Sequence, residues 1–368
     1  MKLSPLSENR FRQLIRFAVL LCFLFYFSCS KTVGELLETR ISNSYANTQS
    51  LEIMFSTTRA TNSNSQVACS NAYFMVFGNQ TSKTGSCIVN VPVDHTVGAI
   101  PFGLGNREKL FQFLDHRISP DGSEEANWWK KVESDASQEI LIFVHGFNVG
   151  FEEAILRAAQ IQFDLKFPGR MIAYSWPAGG DVGVLSQLML KSTYEKNLVS
   201  AQSSRESFKN FLRRISKTDK KLHLIVHSMG HQVVLPAIAE LAKESGSPLL
   251  KELILNAPDF DTGEFIMLMD ALKKSAERIT LYCSPGDSAL IASSQIHQTG
   301  RLGTCSKFPG VDVINVNPID SSIISLGHGY YSSRPILTDL YQLLLGMSAE
   351  KRLFIRKSLG NENYVLRN

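Results

Sequence analysis

The chain has 368 residues, 44% hydrophobic and 20% charged, with a formal net charge of +4. This is an ordinary globular composition, long enough for one large domain or two small ones. Lys2, Arg10, Arg12 and Arg16 against Glu8 put +3 of that charge into the first 28 residues, so the rest is close to neutral at +1 and carries no nucleic-acid signature.

The basic N-terminus precedes "FAVLLCFLFYFS", an apolar run from Phe17 to Ser28. As a helix, those twelve residues span about 18 Å against a hydrocarbon core of roughly 30 Å, so residues 1–28 read as a signal peptide and not as a membrane span. A small residue before Cys29, directly after the apolar run, has the shape of a bacterial lipoprotein cleavage site, with Cys29 the lipidated first residue. Plain secretion and an uncleaved anchor are the alternatives. Residues 29–50 then form a polar tether. The expected location is the bacterial cell envelope, exported and held to the membrane by lipid, or else secreted or periplasmic. Four cysteines remain in the mature body, and an even count in an exported protein suggests two disulfides. Three connectivities are possible; the sequence-nearest is Cys69–Cys87 with Cys283–Cys305. Four reduced, buried cysteines would be the other outcome.

The folded domain is expected over 51–347, with 348–368 as a C-terminal tail. In 51–138, "LEIMFST", "AYFMVF" and "CIVNV" read as strands, and "TRATNSNSQVACSN" (Thr58 to Asn71) as a polar loop. Pro101 to Lys131, rich in Gly, Pro and aromatics, reads as an irregular excursion. From Glu139 the runs "EILIFV", "RMIAYSW", "KLHLIV", "KELILNA", "RITLYC" and "VDVINV" alternate with amphipathic stretches, and "PILTDLYQLLLGM" closes the series. Continuous β-branched runs between such helices predict an α/β fold, a mostly parallel sheet covered on both faces with the N-terminal strands added to it. Right-handed crossovers bring every strand's C-terminal end to one edge, where ligand sites lie.

"VHSMG" (Val226 to Gly230) stands at one such strand end and before a helix. It resembles the G-x-S-x-G nucleophile elbow, with Val226 in place of the first glycine. Ser228 is the expected nucleophile; a helix N-cap is the plainer role for a serine in this turn. An oxyanion hole needs two backbone N–H groups. Met229 follows the nucleophile, and Phe147 lies in the His145-Gly146-Phe147 turn after the first alternating strand. His145, before a glycine turn, fits a structural role. His223, His227 and His231 recur every four residues but cross a strand, a turn and a helix, so no metal site is read there. His328, in "LGHGYY" after the last strand, is the expected base, because the chain order in this fold is Ser, acid, His. The acid is Asp287 in "YCSPGDSAL" or, alternatively, Asp259 or Asp261 in "NAPDFD". Asp287 could also be only a helix N-cap.

From about Leu51 to Leu345 the chain resembles a bacterial alpha/beta-hydrolase family of largely uncharacterised function, esterase/lipase-like, here in lipoprotein form. The resemblance lies in "FSTTR", "GSCIVNVPVDHTVG", "FVHGFN", "AYSWPAGG", "VHSMG", "NAPDFD", "YCSPGDSAL" and "LGHGYY". It implies the alpha/beta-hydrolase fold and a triad of Ser228, Asp287 and His328. Together these features predict a serine hydrolase acting on a small-molecule or lipid ester through an acyl-enzyme, without a cofactor. An acyltransferase would use the same chemistry, and a non-catalytic envelope lipoprotein could keep the fold as a binding or scaffold module.

Overall fold

The computed structural model describes residues 48–65, 67–101, 107–118, 124–179, 187–317, 328–358 and 363–367. The expected signal peptide, Cys29 and the tether up to residue 47 lie outside them; Thr48 to Ser50 already belong to the first strand.

β4 (Glu139–Val144) sits deep in the sheet, and five of its six residues are buried. Leu141 and Phe143 point to one face and Ile140, Ile142 and Val144 to the other, so both faces of the strand are apolar. The same logic builds β5 (Arg170–Ser175), β6 (Lys221–His227), β7 (Leu250–Asn256), β8 (Ala276–Cys283) and β9 (Asp312–Asn315). These six pair in parallel in the order β9-β8-β7-β6-β4-β5. β1 (Thr48–Thr61) adds to β5 in parallel; β2 (Phe74–Pro92) and β3 (Gln112–Ile118) follow it antiparallel.

Helices cover both faces. α1 (Glu125–Ser134), α4 (Arg205–Ile215), α5 (His231–Leu241) and α6 (Thr262–Ser275) close one core, and α2 (Phe151–Asp164) and α8 (Arg334–Leu344) close the other. α3 (Gln187–Ser203) contributes buried Tyr194 and Ala201 to the first core, and α7 (Ser288–His297) follows β8. Each large apolar side chain so buried stabilises the fold by roughly 1.5–3 kcal/mol relative to exposure. The result is a mostly parallel mixed sheet between helical layers, the alpha/beta-hydrolase architecture.

Three segments differ from expectation. The two strands read around "AYFMVF" and "CIVNV" are one 19-residue strand, β2, and the first four residues of the loop read from Thr58 belong to β1. The excursion 101–131 contains β3 and most of α1, whose Trp128, Trp129 and Val132 are buried. The C-terminal tail adds β10 (Ile355–Lys357) and β11 (Tyr364–Leu366), with β11 parallel to β9 and β10 antiparallel to β11. Arg352, fully buried, ties this segment to Asp339 of α8 at 2.9 Å, and Tyr282 of β8 donates to the same carboxylate oxygen at 2.5 Å. Disulfides join Cys69 to Cys87 and Cys283 to Cys305, the sequence-nearest pairing.

Candidate active site

Ser228 begins a single 3-10 turn between β6 and α5, and its φ of 51° lies in the left-handed region that side chains other than glycine avoid. The turn lifts the hydroxyl over the C-terminal edge of the sheet. Val226, fully buried, pairs with Val144 on β4 and Leu255 on β7. A Cβ on Gly230 would lie 3.3 Å from Val226 Cγ1 and only 2.5 Å from the His145 carbonyl oxygen. Gly230 is therefore the position that admits no side chain, and the valine fills the space beside it.

His328 Nε2 lies 2.7 Å from Ser228 Oγ, and His328 Nδ1 lies 2.6 Å from Asp287 Oδ2. Asp287 is fully buried after β8, while the His328 side chain keeps 17% exposure. The other carboxylate oxygen, Oδ1, accepts from Leu290 N–H at 3.1 Å and caps α7. The two roles considered for Asp287 thus coexist on different oxygens. The loop of His328 is held from behind. His227, buried, stacks on Tyr331 at 3.9 Å and donates through Nε2 to the His328 carbonyl at 3.4 Å.

The other candidate acids have different partners. Asp259 is buried and accepts from Tyr194 at 2.7 Å and Ser293 at 2.6 Å, with Arg301 Nε at 3.5 Å. Asp261 caps α6, accepting from Glu264 N–H at 2.7 Å.

Phe147 and Met229 belong to adjacent turns, after β4 and β6. Gly146 makes that adjacency possible, because a Cβ there would lie 2.7 Å from Ser228 Cβ and 2.9 Å from His227 Nδ1. Met229 lies in the first turn of a helical segment, where N–H groups have no intrahelical partner. His145 is buried and stacked on Trp176 at 5.2 Å. Burial, and then the charge of Arg59, push its pKa down to about 3, so it is neutral at physiological pH.

His223 and His231 do not converge with His227. His231 Nδ1 donates to the Ser228 carbonyl at 2.6 Å, while neither ring nitrogen of His223 has a hydrogen-bond partner among the described residues. The described residues hold no cluster of three or more His, Cys, Asp or Glu side chains suited to a metal ion.

Sequence reasoning missed Arg59 and Ser175, which sit fully buried behind the His145 turn. "FSTTR" carried part of the family resemblance but suggested no role for its arginine, because an arginine among threonines at a strand end looks like the start of a solvated loop.

No curated protein and no solved structure matches the chain. A family model described as an alpha/beta hydrolase of unknown function (DUF900) matches residues 121–347, and the chain belongs to that family.

Proposed function

We propose that the protein is a serine hydrolase cleaving a carboxylic ester, or a related acyl bond, through an acyl-enzyme. The observation that carries this reading is the unbroken hydrogen-bond path from Asp287 through His328 to Ser228, with the serine on a strained turn. An ionised carboxylate can only accept, so the ring proton of His328 sits on Nδ1 and Nε2 is free to take the proton of Ser228. As Oγ attacks the acyl carbon, that proton passes to Nε2, and Asp287 faces the imidazolium that forms. The carbonyl oxygen becomes an oxyanion against the N–H groups of Phe147 and Met229. His328 then returns the proton to the leaving alkoxide. Water repeats the sequence on the acyl-enzyme, releasing the acid and restoring Ser228.

Fluorophosphonate labelling of the exported protein tests this directly, followed by a panel of esters of increasing acyl length. Labelling is expected in the wild type. Ser228→Ala should abolish it and lower turnover by about 10⁴- to 10⁶-fold while the fold persists. Labelling of the variant above about a tenth of wild type would place the nucleophile elsewhere. A wild-type protein that takes no label would favour a binding or scaffold role.

A further inference from the structure

Arg59 closes the "FSTTR" stretch on β1, yet its side chain is fully buried behind the turn that carries Phe147. Its guanidinium donates to four acceptors: Ser175 Oγ at 2.9 Å, and the carbonyls of Met75 at 3.2 Å, Ala178 at 2.8 Å and Val149 at 2.7 Å. None is a carboxylate. Burial brings the pKa of Arg59 down to about 9, and the charge of Glu153 works against that shift. Sheer space-filling does not call for a cation here. A neutral donor could satisfy carbonyls without desolvating a charge.

The bond to Ser175 leads into the candidate site. Ser175 Oγ lies 3.2 Å from His145 Nε2, and His145 Nδ1 lies 3.0 Å from the Gly146 carbonyl. A carbonyl only accepts, so at that contact Nδ1 carries the hydrogen, and Nε2 of the neutral ring accepts from the Ser175 hydroxyl. Ser175 in turn accepts from Arg59. Every hydrogen bond in the path therefore points the same way, from the cation to the Gly146 oxygen. That oxygen belongs to the peptide whose N–H is on Phe147. Trp176 locks the ring between these partners, stacking on it and donating to the His145 carbonyl at 2.8 Å.

We infer that Arg59, Ser175 and His145 are positioning residues that orient and polarise the Gly146–Phe147 peptide, making Phe147 N–H a stronger donor to the oxyanion. The inference rests on the serine-hydrolase reading. Hydrogen bonds in a chain polarise one another, and electron density drawn onto the carbonyl side of an amide leaves its N–H more positive. The Arg59 charge lies in a buried region where its field is weakly screened, with a sign that favours a developing negative oxygen. Because that charge develops only as the acyl carbon is attacked, the relay acts on the chemical step and not on substrate binding.

Ser175→Ala is the sharpest test. It cuts the path while leaving Arg59 its three carbonyl acceptors. Turnover on an ester, and the maximal rate of fluorophosphonate inactivation, should fall about 10- to 100-fold, less than for loss of a direct donor, with KM and inhibitor affinity within about twofold. The Phe147 amide proton should move upfield in the NMR spectrum. His145→Asn loses the Ser175 link and also replaces the ring that donates to Gly146, so it should fall at least as far as Ser175→Ala; if Ser175→Ala does not fold, a folded His145→Asn with wild-type turnover overturns the relay. A folded Ser175→Ala with wild-type turnover and an unmoved Phe147 amide, whatever its melting temperature, overturns the relay. A wild-type protein that neither labels nor hydrolyses esters sinks the hydrolase reading alone. The Phe147 amide shift then still decides whether the peptide is polarised.

Discussion

Asp287 and His328, 41 residues apart in the chain, meet at 2.6 Å through one carboxylate oxygen, while the other oxygen of Asp287 caps α7. The contact with His328 and the cap can therefore be separated by mutation. Asn caps a helix about as well as Asp, so Asp287→Asn should cost little stability. It should still lower turnover by about 10⁴-fold, because an amide can donate to Nδ1 and so favours the wrong imidazole tautomer. Asp259→Asn disturbs a buried cluster with Tyr194, Ser293 and Arg301 and should show mainly as a lower melting temperature. Asp261→Asn should be nearly silent. Turnover and thermal unfolding of the three variants, run side by side, check this; a collapse of turnover in Asp259→Asn or Asp261→Asn with Asp287→Asn still active would move the acid to the earlier strand.

The elbow makes two opposite predictions. Val226→Gly removes a fully buried β-branched side chain from a central strand and should destabilise the protein by about 2–4 kcal/mol, with turnover of the folded fraction largely kept. Gly146→Ala adds one methyl 2.7 Å from Ser228 Cβ and should displace the nucleophile, cutting turnover more than stability. Denaturant unfolding together with active-site titration separates the two. A fully stable Val226→Gly would mean that the valine does not fill the space beside Gly230.

Four buried histidines predict acid sensitivity. Burial is the leading cause in each case: His145 and His231 are pushed down to about 3, His223 to about 4, where the charges of Lys251, Lys221 and Arg278 add to the effect, and His227 well below its ordinary value. Their folded pKa values lie below the unfolded value of about 6.5, so the unfolded chain binds protons first as pH falls. The stability they contribute is complete above about pH 6.5 and drains away toward pH 4 to 3. His95 works in the opposite sense. Burial opposes its protonation, but the Asp164 hydrogen bond and the Pro92 carbonyl outweigh that and raise its pKa, so its contribution is lost as pH rises. The melting temperature should fall between pH 7 and 4.5. In His223→Leu, which removes a ring with no hydrogen-bond partner among the described residues, that fall should be shallower. An identical acid slope would remove His223 from the account.

The N-terminal expectation is tested in the cell. If Cys29 carries the lipid, Cys29→Ala should move the protein from the membrane pellet to the soluble exported fraction. Each buried methylene contributes about 0.8 kcal/mol of membrane affinity, so losing the acyl chains leaves only a polar tether. Unchanged pelleting of the variant would favour an uncleaved anchor.

The central strands and the site were largely legible because both follow from simple constraints. "EILIFV" and "SALIASSQIH" form β4 and α7 with the expected bounds, the first as a run buried on both faces and the second behind an aspartate cap. Ser228, Asp287 and His328 lie after strands in the order that this fold requires; the elbow motif marked Ser228 and chain order marked His328 among eight histidines, while Asp287 stood beside Asp259 and Asp261 and was favoured by the family resemblance. The rest was hidden for physical reasons. β10 and β11 are three residues each, too short for any period, and are held by long-range contacts of Arg352. α1 has a short apolar face set among charges. Arg59 has a polar local sequence, and only the folded chain surrounds it with carbonyls.

The matched region 121–347 leaves out β1 on one side and β11 on the other. In the whole protein these two strands occupy the outer hydrogen-bonding edges of β5 and β9. A fragment cut to the matched region would leave both edges bare, each a row of unsatisfied N–H and C=O groups open to pairing with another molecule. Such a fragment should self-associate and precipitate, although it holds all three residues of the Ser228 constellation. The stretch that the family model matches and the stretch that covers its own sheet edges are therefore different, and size-exclusion chromatography of 121–347 beside 48–368 would display the difference.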